Sequence, residues 1–147
     1  MFTHLLVPID GSELSERAAE VSLGLAAKLG AKVTGFVAEP QPPLPTMSST
    51  AVVYAQQSDE HELRTEAHAQ QVLRTFAERA VAAGVAFEGK FQRNDSIEDA
   101  IAHAAAAYGC DLIVMVTHGR GVFGELLFGS HTKNVMARTK VPLLVLH

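Results

Sequence analysis

Thr117 to Val135 reads THGRGVFGELLFGSHTKNV, and this segment has the residue types and spacing to do chemistry. It leaves an apolar run, passes Gly119, Gly121 and Gly124, and reaches Gly129-Ser130 at the expected start of a helix. Glycine lets backbone amides approach an anion with no Cβ in the way. A helix N-terminus adds unpaired amides and the positive end of its dipole. Ser130 can both cap the helix and donate its hydroxyl. The amides of His131 and Thr132 would point into the same space, and Arg120 and Lys133 can add charge. This is an anion-binding pattern, and a nucleotide phosphate is its natural guest.

Two stricter phosphate motifs do not fit. Gly119, Gly121 and Gly124 spell G-x-G-x-x-G, but the dinucleotide version follows a first strand and has an acid about 20 residues on. Here the glycines follow the fourth strand, and no acid lies near residue 144. Gly124 and Gly129 have the phosphate-loop spacing, but Ser130 stands where lysine is required.

Other chemistry-bearing side chains are fewer. Asp10 ends an apolar run and can hold Mg²⁺ near phosphates, or simply form the Asp-Gly turn. His118 sits in the glycine-rich loop. His61 and His68 share a helix face, without a third ligand that would make a metal site. Cys110 reads as a small core residue.

The elements that must position these residues follow from hydrophobic period. His4 to Ile9 and Leu112 to Val116 are short apolar runs, read as buried strands. Lys32 to Ala38 and Val141 to Leu146 read as two more. Val85 to Gln92 alternates, with Val85, Phe87 and Phe91 on one side, as at a sheet edge. Helices fall between them. The first is capped by Ser12 and stopped by Gly30. The second runs from Asp59 to Ala83. The third has Asp95 and Glu98 as a capping box. The fourth spans Ser130 to Arg138. Pro40, Pro42, Pro43 and Pro45 make 39–58 read as a long mobile crossover. The alternation of strand and helix predicts one α/β domain over 1–147, an open doubly wound five-stranded parallel sheet with helices on both faces. Such sheets bind ligands beyond the carboxyl ends of the strands, where the winding reverses. That places the expected site at Pro8-Ile9-Asp10 and from Met115 through Ser130.

On these residues the whole chain resembles the universal stress protein family. The family's nucleotide motif is G-x-x-G, nine residues, then G-[ST]. Here Gly119, the nine residues RGVFGELLF and Gly129-Ser130 match it, and Val116 replaces the first glycine. VPIDGS after strand one, THGRG after strand four and the closing VPLLVLH match as well. The resemblance implies a Rossmann-like fold and a cytoplasmic, stress-responsive dimer that binds an adenine nucleotide. Position by position it implicates Pro8, Ile9 and Asp10 near base and metal, and Val37 near the adenine. For ribose and phosphates it implicates Met115, Val116, Gly119, Gly129, Ser130 and His131. The expected cofactor is ATP, with Mg²⁺ held indirectly through Asp10.

Composition narrows the function classes. The 147 residues are 48% hydrophobic and 19% charged, which excludes a disordered chain. Net charge is −4, from 12 basic and 16 acidic residues, and argues against a broad nucleic-acid surface. No apolar stretch approaches the ~20 residues of a membrane span. The first residues, MFTHLLVPIDGS, lack the basic lead of a signal peptide. One cysteine excludes a disulfide framework and fits a reducing cytoplasm. No general base or positioned water ligand is identifiable, so the expectation is a binding protein and not an enzyme, with slow hydrolysis left open. Adenylating ATP pyrophosphatases on related folds need a glycine- and serine-rich loop after strand one, which Pro8 to Ser12 does not supply. The alternative is a dimeric interaction module of the same family that binds no nucleotide. Its basis is Val116 and the apolar final strand, Leu143 to Leu146, which as an edge strand can pair with a second copy.

Overall fold

The computed structural model describes residues 1–117 and 130–147. Five strands and four helices alternate along them. They are β1 (His4–Pro8), α1 (Glu13–Leu29), β2 (Lys32–Glu39), α2 (Ala51–Ala82), β3 (Phe87–Arg93), α3 (Ile97–Ala107), β4 (Leu112–Val116), α4 (Ser130–Arg138) and β5 (Leu143–Leu146). All pairings are parallel, in the order β3-β2-β1-β4-β5. The chain winds outward from β1 through β2 to β3, then returns to β4 and β5. The reversal therefore lies between β1 and β4.

The period-2 pleat divides each central strand between two cores. Leu5, Val7, Val33, Val37, Leu112 and Val114 face α1 and α2. Leu6, Phe36, Ile113 and Met115 face α3 and α4. Both faces are apolar because both are covered, as a parallel sheet requires. Helix α1 closes the first face with Ala18, Ala19, Leu23 and Ala26, and α2 with Ala69, Val72, Phe76 and Ala80. Small residues on α1 let that helix lie close to the strands. On the second face, α3 brings Ala100, Ile101, Ala104 and Ala105, and α4 brings Val135. Phe76 packs on Phe87 with ring centroids 4.8 Å apart, which seats β3 under α2.

The caps explain where the helices begin. Ser12 Oγ accepts from the Ser15 amide and Thr50 Oγ1 from the Val53 amide. Gly30, with φ +66°, ends α1 in the left-handed conformation that glycine adopts freely. Two expectations are corrected. Helix α2 begins at Ala51, not Asp59, so the proline-rich connection is 40–50 and not 39–58. Its first part, Ala51 to Arg64, contains no buried residue, so no apolar stripe marks it as helix, and Thr50 starts it by capping. Helix α3 is capped by Ser96, whose Oγ accepts from the Asp99 amide. Asp95 instead accepts from the Gln41 amide, tying the crossover to the end of β3.

Candidate functional site

The ends of three strands, β1, β2 and β4, converge on a cavity of about 200 Å³ at the carboxyl edge of the sheet. It lies over the β1–β4 reversal. Pro8, Ile9 and Asp10 form one side and Met115, Val116 and Thr117 the other. Phe36 and Ala38 of β2 and Ile97 and Ile101 of α3 add apolar surface. Leu14, Ser12 and Ser15 come from the start of α1, and His131 and Thr132 from the first turn of α4. Hydrogen bonds hold the rim. The Ile9 amide donates to Phe36 O and the Thr117 amide to Leu146 O, each at 2.9 Å, carrying the sheet pattern just past the strands.

The turn after β1 is locked from within. Asp10 Oδ1 accepts from the Ser12 amide at 2.9 Å. Ser15 Oγ, buried, accepts from the Gly11 amide at 3.1 Å and donates to Ser12 O at 3.0 Å. Gly11 has φ +83°, and a Cβ there would meet Val72 Cγ2 at 2.9 Å. Only glycine fits this turn against α2. Burial alone would raise the Asp10 pKa. The hydrogen bonds from Ser12 and Ser15 outweigh burial and hold the carboxyl below its ordinary value. A carboxylate therefore faces the cavity at neutral pH.

Helix α4 points its N-terminus at the same space. Thr132, 1% exposed, lies in the cavity wall one turn from the start of the helix. His131 Nδ1 is 2.8 Å from Glu98 Oε1, which also accepts from Asn134 Nδ2 at 3.2 Å. These bonds bind the first turn of α4 to the first turn of α3. The backbone amide of Glu98 at the start of α3, then Asn134, hold the Glu98 carboxyl down to about 2.

The structure thus brings together Pro8, Ile9, Asp10, Met115, Val116, His131 and Thr132. Gly119, Arg120 and Gly129 lie outside the described residues, as does His118. Ser130 opens α4. Val37 does not join the group, because its side chain belongs to the opposite core, among Leu5, Val7 and Val33. Phe36 and Ala38, one residue to either side, face the cavity in its place. Sequence reasoning missed these two, together with Leu14, Ser15, Ile97 and Ile101. Strand alternation was the signal for Phe36 and Ala38, since β2 presents even-numbered residues to the α3 and α4 face. His61 and His68 serve local structure. His68 Nδ1 pairs with Glu39 at 2.5 Å, and His61 Nε2 bonds Pro40 O at 3.1 Å. Among the described residues no group of three or more His, Cys, Asp or Glu is placed to hold a metal ion. Burial pushes the Cys110 thiol up to about 11, as for an unreactive core cysteine. No helix among the described residues is long and apolar enough to cross a membrane.

Comparison with known proteins agrees with this architecture. The universal stress protein family model matches residues 1–147. The "universal stress protein in QAH/OAS sulfhydrylase 3′ region" of Thermus aquaticus is 30% identical over 145 residues, covering 99% of this chain and 98% of that protein. Universal stress protein YxiE of Bacillus subtilis is 27% identical over 147 residues, covering 99% of each. Hypothetical protein MJ0577 superposes with a TM-score of 0.81 at 20% identity, over 99% of this chain and 96% of that one. A universal stress protein solved in complex with cAMP superposes with a TM-score of 0.71 at 28% identity, over 99% and 97%. By sequence over its full length, and by strand order and helix placement, the chain belongs to the universal stress protein family.

Proposed function

We propose that this protein binds an adenine nucleotide, ATP foremost, in the cavity over the β1–β4 reversal, and acts as a stress-response sensor or switch. One observation carries the reading. The cavity joins an apolar floor to the N-terminal turn of α4, so a base and sugar meet Ile9, Met115 and Ile101 while phosphates meet helix amides. In the sequence, Gly119 and Gly129-Ser130 form a motif of the kind that offers amides and a hydroxyl to a phosphate. The complex of a 28% identical universal stress protein with cAMP supports the same ligand class.

The residues present fit the group. Pro8, Ile9, Met115 and Val116 would hold base and ribose, and Ser130, His131 and Thr132 the phosphates, with Arg120 adding charge. Val37 would contribute through its backbone alone. Mg²⁺ characteristically takes one or two carboxylates and fills its remaining positions with phosphate and water. Asp10, kept ionised in the wall, is the one to hold it, through water, and the ion would neutralise phosphate charge. A bound nucleotide signals only through different affinities for two states of the protein. The proline-rich connection 40–50 and the glycine-rich loop are the segments whose arrangement it would bias. A lone buried Cys110 fits a cytoplasmic setting.

The second reading is a dimeric interaction module without nucleotide. It draws on Val116, which lines the cavity where the motif has glycine, and on the edge position of β5. Mass spectrometry of the small molecules released on denaturing the purified protein separates the two. An adenine nucleotide in stoichiometric amount is expected. An empty protein that also ignores millimolar ATP would establish the second reading.

A further inference from the structure

His131 stands in the cavity wall at the start of α4 with its side chain half exposed, while its partner Glu98 is only 14% exposed. We infer that the Glu98–His131 pair makes the phosphate end of the cavity a pH-dependent anion receptor, tightening its hold on phosphorylated nucleotides as the medium acidifies. This rests on the nucleotide reading above and names a regulation of the same site.

The argument begins with which nitrogen is committed. Nδ1 of His131 donates to Glu98 Oε1, so the proton gained or lost is the one on Nε2. A neutral ring offers a phosphate oxygen a lone pair. A protonated ring offers it a charged donor. Glu98 stays ionised because the start of α3 and Asn134 hold its carboxyl down to about 2. It is a positioning residue. It touches the ring and not the cavity.

Among the described residues, the other charges around the ring leave the imidazole as the switching group. From α3, Asp99 is paired with Arg138 of α4 at 2.5 Å. From the turn after β1, Asp10 presents a carboxylate to the same cavity. Lys133 and Arg138 lie on the same helix as His131. With Asp10 and Glu98 both negative, a phosphate entering the cavity meets opposing charge that a His131 imidazolium offsets. Histidine is the side chain whose charge ordinarily changes between about pH 5 and 8.

The test is calorimetric titration of the intact protein with ATP and with adenosine from about pH 5.5 to about pH 8.5, across the imidazole range. Wild type, His131→Gln and Glu98→Gln are compared. The ATP affinity ratio of wild type to His131→Gln cancels the titration of the ligand's own phosphates. That ratio is expected to be near one at the alkaline end and to rise by about tenfold at the acidic end, as for a charge-assisted hydrogen bond. Adenosine binding should show no such change. Glu98→Gln, whose amide oxygen can still accept from Nδ1, should keep the effect. A ratio that stays flat with pH, while ATP still binds, overturns the inference and leaves the nucleotide reading standing. A shift of equal size for adenosine also overturns it. Absence of binding by both ligands to the wild type at every pH overturns the nucleotide reading, and this inference with it. His131 is half exposed, so its substitution leaves the fold intact.

Discussion

Val116 lines the cavity at the end of β4 in place of the motif glycine, and it packs also against the α1 and α2 core. Val116→Gly enlarges that space, and the expected result is tighter ATP binding, by about two- to tenfold. The same change removes a half-buried side chain from the end of β4 and puts glycine in a strand, at a cost of about 1–3 kcal/mol. Calorimetry paired with thermal unfolding reads both effects, and equal or weaker binding would show that crowding by Val116 is not limiting. Glu98 makes a prediction about stability. Its folded pKa is depressed from 4.5 to about 2, so its contribution is complete above pH 4.5 and is lost as pH falls through about 2. Glu98→Gln should be less stable than wild type by about 1–2 kcal/mol at neutral pH, where a charge-assisted bond is lost. The two proteins should converge in denaturant midpoint as pH falls through that window. Individual site residues were legible where chain order delivers them. Pro8, Ile9 and Asp10 end an apolar strand, and Met115 and Val116 end another. Glu98 was not legible as the partner of His131, because the pair forms only when α3 and α4 pack together.

Helix and strand boundaries were readable wherever an apolar stripe or a cap marks them. Ser12 and Gly30 bracket α1 as expected, and the run Leu112 to Val116 is the buried central strand its composition indicates. The start of α2 escaped because Ala51 to Arg64 buries no residue, so its helical period never appears in the hydrophobic pattern. The Val37 side chain lies on the α1 and α2 side of the sheet, because the pleat gives Phe36 and Ala38 to the α3 and α4 layer. That alternation is readable along β2, but which of the two layers carries the cavity is not. Gly35 shows how tightly the α2 layer is set. A Cβ there would lie 2.8 Å from the Phe87 ring and 2.9 Å from the Phe76 ring. Gly35→Ala should therefore force apart the aromatic pair that seats β3 under α2. The expected cost is about 1–3 kcal/mol, as for overpacking elsewhere. Urea unfolding checks this, and an unchanged midpoint would mean the rings yield freely.

The sheet order leaves two edges, β3 and β5, and they differ. β3 carries Glu88, Lys90 and Arg93, with Glu88 and Lys90 paired at 2.5 Å. Charge on an edge discourages pairing with another chain. β5 is Leu143-Leu144-Val145-Leu146, apolar and half-buried throughout. We therefore expect a homodimer through β5, and expect Leu144→Lys to shift the sedimentation profile to monomer. A profile identical to wild type would remove β5 from the interface. The five-stranded parallel sheet and its reversal between β1 and β4 were anticipated from the alternation of strands and helices, because that pattern admits few parallel topologies. The cavity's far wall, from α3, was not, since it depends on how far α3 tilts over the sheet. The central claim is that a nucleotide sits at this reversal with its phosphates at α4. Amide chemical-shift mapping on adding ATP tests it residue by residue. The largest shifts should fall on Ile9, Asp10, Val116, His131 and Thr132, with Thr3, Lys32 and Val85 at the opposite end of the sheet unmoved. Shifts centred on that opposite end, or none at millimolar ATP, would contradict it.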